Sequence, residues 1–135
     1  MASFILLFLL DKSIVLDYNA SMIYDRFQQE SIDYINSGIS VLVSAPTGAG
    51  KTAIAEHIIN RCIEQKIGVI YTAPIKALSN QKFRDFQGEF GDHIGILTGD
   101  VSLNPDARVL IMTTEIFRNK VLDEPERLKK YTWII

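Results

Sequence analysis

The chain has 135 residues, 47% of them apolar and 22% charged. That is enough for one domain with a real core, too few for two, and not the composition of a disordered segment. A net charge of −2 gives no ground for a general electrostatic affinity for nucleic acid, so any such binding must come from a local groove. The single cysteine, Cys62, excludes an internal disulfide framework and points to a reducing, intracellular and cytoplasmic setting.

The first feature along the chain is the apolar run Phe4-Ile5-Leu6-Leu7-Phe8-Leu9-Leu10, followed by Asp11 and Lys12. As a helix it would span roughly 10 Å against about 30 Å of bilayer core. It also lacks the basic lead and the small-residue cleavage site of a signal peptide. No membrane association is expected; the run reads as a buried strand or as a helix packing on the domain, within an N-terminal extension over residues 1–25.

From residue 26 helical and extended patterns alternate, which predicts a parallel α/β sheet. Residues 26–36 carry Phe27, Ile32 and Ile35 on one side and read as a helix stopped near Ser37-Gly38. Residues 40–44 read as a strand. Residues 51–65 place Ile54, Ile58 and Cys62 at i, i+4 and i+8, with Ala55, Ile59 and Ile63 beside them, a helix with a broad apolar stripe. A strand over 67–72 precedes a helix over 76–90 whose buried face is predicted to be Leu78, Phe83, Phe86 and Phe90. Strands follow at 94–97, 109–112 and 132–135, with a helix over 114–122 and a short turn from Pro125 between the last two. Five strands joined by right-handed crossovers predict helices on both faces of the sheet.

Ala45-Pro46-Thr47-Gly48-Ala49-Gly50-Lys51-Thr52 lies between the strand at 40–44 and the helix at 51–65. Gly-x-Gly-Lys-Thr in that setting is a phosphate-binding loop. The two glycines let the backbone curl its N–H groups toward phosphate oxygens, and the helix adds its positive dipole end. Lys51 is expected between the β and γ phosphates of ATP and the Thr52 hydroxyl on Mg²⁺, making these two the catalytic candidates. His57 and His93 have no metal-ligand spacing, and Cys62 sits on an apolar stripe; all three read as structural.

Other stretches narrow the reading. The head of the loop is Ala45 where the general pattern has Gly, and Ala45-Pro46-Thr47-Gly48 resembles helicase superfamily two. Phe27-Gln28 resembles that superfamily's adenine-recognition element, with Met22 where an aromatic usually stands. Ala73-Pro74-Ile75-Lys76-Ala77-Leu78-Ser79-Asn80-Gln81-Lys82 resembles its motif Ia. Leu97-Thr98-Gly99-Asp100-Val101-Ser102, Asn104-Pro105 and Met112-Thr113-Thr114-Glu115 continue the pattern. From residue 27 to 135 the chain resembles the first RecA-like domain of a superkiller-type (Ski-like) DExH RNA helicase. The fold implied is a RecA-like P-loop α/β domain over residues 26–135, with Gln28 and residues 45–52 binding nucleotide.

Pro74, Ile75, Lys76, Ser79, Asn80, Thr98, Gly99, Asp100, Thr113, Thr114, Glu115 and Arg118 are the expected nucleic-acid contacts. They follow predicted strands, so they should lie with the phosphate loop at the carboxyl ends of the sheet, where open α/β folds bind ligands. Helix-start N–H groups and hydroxyls suit a sugar-phosphate strand, with Lys76, Lys82, Arg84 and Arg118 as local positive charge. Lys82 and Arg84 also read as ordinary solvated helix charges. The resemblance implies as partners single-stranded RNA or an RNA duplex with an overhang, and a second RecA-like domain of the same full-length chain. In the family the strand at 132–135 runs into Asp-Glu-x-His, so the 135 residues alone are expected to hydrolyse essentially no ATP. A non-catalytic truncated remnant and a DNA helicase of the same superfamily are the alternatives.

Overall fold

Residues 4–7 and 23–135 are described in the computed structural model. The chain divides into two units, Met1–His57 and Ile58–Ile135.

The first unit holds strand β1 (Phe4–Leu7), helix α1 (Arg26–Asn36), strand β2 (Ser40–Val43) and the first part of helix α2 (Thr52–Glu64), within which the division falls. β1 and β2 form a parallel two-stranded ladder, from Phe4 opposite Ser40 to Leu7 opposite Val43. The apolar run is thus a strand over its first four residues; Phe8-Leu9-Leu10 and Met22 lie outside the described residues. Helix α1 buries Gln28, Ser31, Ile32 and Ile35, while Phe27 is half-buried. A polar stripe of this kind is tolerable because Ser31 Oγ donates to the Phe27 carbonyl at 2.6 Å and the Gln28 amide is also partnered.

The second unit holds β3 (Gly68–Ala73), α3 (Lys76–Phe90), β4 (Ile94–Leu97), β5 (Ser102–Leu103), β6 (Val109–Thr113), α4 (Thr114–Asp123), α5 (Pro125–Leu128) and β7 (Tyr131–Ile134). Its sheet has the order β5-β4-β6-β3-β7, parallel throughout except for β5. Side-chain alternation sends successive residues to opposite faces. Tyr71 stacks edge-on against Phe86 of α3, whereas its neighbour Ile70 joins Leu110 and Met112 beneath Ile116, Phe117 and Leu128 of α4 and α5. Both faces are therefore covered, and β3, β4 and β6 carry a nearly continuous buried run from Val69 to Met112, as a two-sided sheet requires.

Three expectations are corrected. Four of the five predicted strands share this sheet, but β2 pairs with β1 instead; the parallel β1 backbone satisfies groups β2 would otherwise leave open. The fifth strand of the sheet is β5, antiparallel because only a tight turn separates it from β4. The buried face of α3 is Ser79, Phe86 and Phe90, with Phe83 half-buried and Leu78 40% exposed. Residues 79, 83, 86 and 90 follow the i, i+4, i+7, i+11 spacing of one helix face; Leu78 is rotated off it.

Candidate functional site

In the first unit β2 delivers the chain into residues 45–52. Gly48 and Gly50 take φ values of 83° and 84°, a left-handed conformation that L side chains avoid, with Ala49 between them donating its N–H to the Pro46 carbonyl at 3.2 Å. Alternation of this kind forms a concave backbone nest suited to an anion. The loop runs directly into α2, whose first residue is Thr52. The Lys51 ammonium lies over the loop, donating to the Ala45 carbonyl at 2.6 Å and the Pro46 carbonyl at 2.8 Å. These carbonyls hold the lysine where a phosphate would compete for it. Nest, helix start and ammonium together suit a nucleotide triphosphate, and Thr52, the first residue of α2, is the one that could hold Mg²⁺. Among the described residues there is no group of three or more histidine, cysteine, aspartate or glutamate side chains that could hold a metal ion.

Gln28 braces this loop. Its Nε2 donates to the Gly50 carbonyl at 2.7 Å, and its Oε1 accepts the Asp25 backbone N–H at 2.7 Å, the return half of a capping box at the start of α1. The side chain is 7% exposed. One donor and one acceptor remain on the carboxamide, the complement that an adenine edge needs. The loop contact was not legible in sequence, because twenty-two residues separate Gln28 from Gly50.

In the second unit, register brings the predicted nucleic-acid stretches to one edge. Ala73 lies opposite Thr113, and Leu97 opposite Met112, so Pro74, Thr98 and Thr114 emerge side by side at the carboxyl ends of β3, β4 and β6. Thr114 Oγ1 donates to the Ala73 carbonyl at 3.3 Å, tying two of these ends together. Thr113 caps α4 by accepting the Ile116 N–H at 3.4 Å. Pro74, Ile75, Lys76, Gly99, Asp100, Thr114, Glu115 and Arg118 are exposed, and Asn80 is half-buried. Ser79 departs from expectation: it is fully buried, and its hydroxyl donates to the Ile75 carbonyl at 3.3 Å, so that hydroxyl faces the fold and not a strand. Thr98 is likewise buried, its hydroxyl donating to Asp100 Oδ1 at 3.0 Å. The ion pair between Lys76 and Asp100, 3.1 Å, was missed at the sequence level.

The sequence is similar to known proteins. Residues 25–135 match the family described as DEAD/DEAH box helicase. The chain is 51% identical over 111 residues to the "mRNA transport homolog 4" of Caenorhabditis elegans, covering 82% of this chain and 11% of the relative. It is 49% identical over 113 residues to the "Exosome RNA helicase MTR4" of Homo sapiens, covering 84% and 11%. The "Antiviral helicase SKI2" of Saccharomyces cerevisiae is 48% identical over 112 residues, covering 82% and 9%. The chain spans about a tenth of the length of these relatives. The match along residues 25–135 places the chain in the DEAD/DEAH box helicase family.

Proposed function

We propose that residues 26–135 belong to the first RecA-like domain of an ATP-dependent RNA helicase, working inside the cell with a second RecA-like domain of the same full-length chain. The observation that carries this reading is the loop at 45–52, with its left-handed glycines and lysine, in a chain about half identical to proteins named as RNA helicases. ATP, when bound with Mg²⁺, supplies the phosphoryl chemistry. The residues of this chain then bind and orient it. The loop amides and the start of α2 would cradle the phosphates, Lys51 would neutralise their charge and Thr52 would hold the cation, while Gln28 steadies the loop.

The edge formed by Pro74, Thr98 and Thr114 is the surface proposed to grip the sugar-phosphate backbone of a single strand. Its hydroxyls and helix starts favour backbone over base contacts, so binding is expected to tolerate sequence. Strand displacement by the full-length protein on matched RNA and DNA duplexes with single-stranded overhangs tests this. ATP-dependent unwinding of the RNA duplex is expected; unwinding of DNA alone would overturn the choice of RNA. No helix among the described residues is long and apolar enough to cross a membrane.

A further inference from the structure

The exposed candidates for strand contact include two cations, Lys76 and Arg118, and two anions, Asp100 and Glu115, so they carry no net charge. One cation and one anion of this set are paired with each other. Lys76 Nζ lies 3.1 Å from Asp100 Oδ1, with both side chains more than half exposed. The end of the lysine also crosses Gly99, where an added Cβ would lie 3.5 Å from Nζ and 3.6 Å from Cε.

The carboxylate is held independently of the lysine. Thr98 donates its hydroxyl to Asp100 Oδ1, and that hydroxyl accepts the Val101 N–H at 3.2 Å. The Thr98 N–H closes the turn on the Val101 carbonyl at 2.8 Å. Hydrogen bonds from Lys76 and then Thr98 hold the Asp100 carboxyl below the usual carboxylate range, so it stays charged at neutral pH.

We propose that Asp100 is a built-in competitor for the strand: it occupies the Lys76 ammonium as a counter-ion, and an RNA phosphate must displace it to take that contact. This rests on reading the edge as an RNA grip. An incoming phosphate meets a neutral pair, not a bare cation. Binding is then weaker and less salt-dependent than the lysine alone would make it, which favours release of the strand between contacts.

The test is binding of a fluorescein-labelled single-stranded oligouridylate to the full-length protein by anisotropy, across a range of KCl concentrations. Asp100→Asn keeps an oxygen for the Thr98 hydroxyl and removes the charge; Asp100→Ser removes it with a smaller side chain. Both are expected to bind about two- to fivefold tighter, the scale of an exposed ion pair. Their log affinity against log salt should steepen by about 0.7, one further phosphate on a single strand. Adding Lys76→Gln should abolish both gains. A purely structural Asp100 would instead give weaker binding at an unchanged slope. Wild-type binding with both Asp100 variants unchanged or weaker overturns this inference alone. Failure of the wild type to bind the oligouridylate overturns the RNA reading and the inference with it.

Discussion

Replacing Gly50 by Ala would put a methyl 2.6 Å from Gln28 Nε2 on a backbone held at φ 84°. The left-handed conformation costs an L residue about 1–2 kcal/mol. Displacing the Gln28 amide from the Gly50 carbonyl costs about 1 kcal/mol more, so the nest should be destabilised by about 2–3 kcal/mol. If nucleotide binds the loop in this conformation, affinity falls by about 30- to 150-fold. Gln28→Ala alone removes the same hydrogen bond and the partner of the Asp25 N–H, about 1–2 kcal/mol. In the double variant the methyl has no amide to strike and only the backbone cost is added. The combined loss should fall short of the sum of the single losses by about 1 kcal/mol, or about fivefold in affinity. Titration of the full-length protein with a fluorescent ATP analogue in the presence of Mg²⁺ measures all three. Additive losses, or a Gly50→Ala protein that binds like wild type, would refute the brace between α1 and the loop.

The other predictions concern the second unit. A Cβ on Gly95 would fall on the Asn104 carbonyl oxygen and 2.9 Å from Ala107 Cβ. That loop is already pinned by Asn104 Nδ2 on the Asp92 and Ile94 carbonyls, so Gly95→Ala should cost at least about 1–3 kcal/mol. A melting temperature within a degree of wild type would contradict it. Burial raises the Cys62 thiol from 9.0 to about 11 and the Tyr131 phenol from 10.0 to about 12. Both groups become anions on losing a proton, and the folded state holds that proton more tightly. The stabilisation is whole below pH 9 and is lost as pH rises through about 11 for the thiol and 12 for the phenol. Denaturant midpoints should fall across that alkaline window, and Tyr131→Phe should flatten its upper part; midpoints flat to pH 12 would refute the assignment. At pH 8 native Cys62 should resist iodoacetamide and react fully once unfolded; rapid native labelling would contradict its burial.

Local chemistry explains which features are legible in the sequence alone. The loop at 45–52 announces itself because Gly, Lys and Thr are each required at a fixed spacing, and the helix at 52–64 because its apolar residues repeat at the helical period. Strands β3, β4 and β6 are legible because burial on both faces makes them continuously apolar. The partnership of β2 with β1 was not legible, since strand pairing is a long-range choice and an apolar run of four does not name its neighbour. Ser79 illustrates a second blind spot. A serine at a helix start looks like a ligand, but a stripe of Phe83, Phe86 and Phe90 turns it inward, where its own helix supplies the acceptor. The Lys76–Asp100 pair joins residues twenty-four apart that only the register of β3, β6 and β4 brings together.

Lys51 and its loop are proposed to bind ATP in a helicase driven by RNA. The most direct measurement is ATP hydrolysis by the full-length protein, with and without single-stranded RNA, in the wild type and in Lys51→Ala. Stimulation by RNA in the wild type and loss of hydrolysis in the variant are predicted. Hydrolysis that survives Lys51→Ala undiminished would contradict the role given to Lys51 and with it the site.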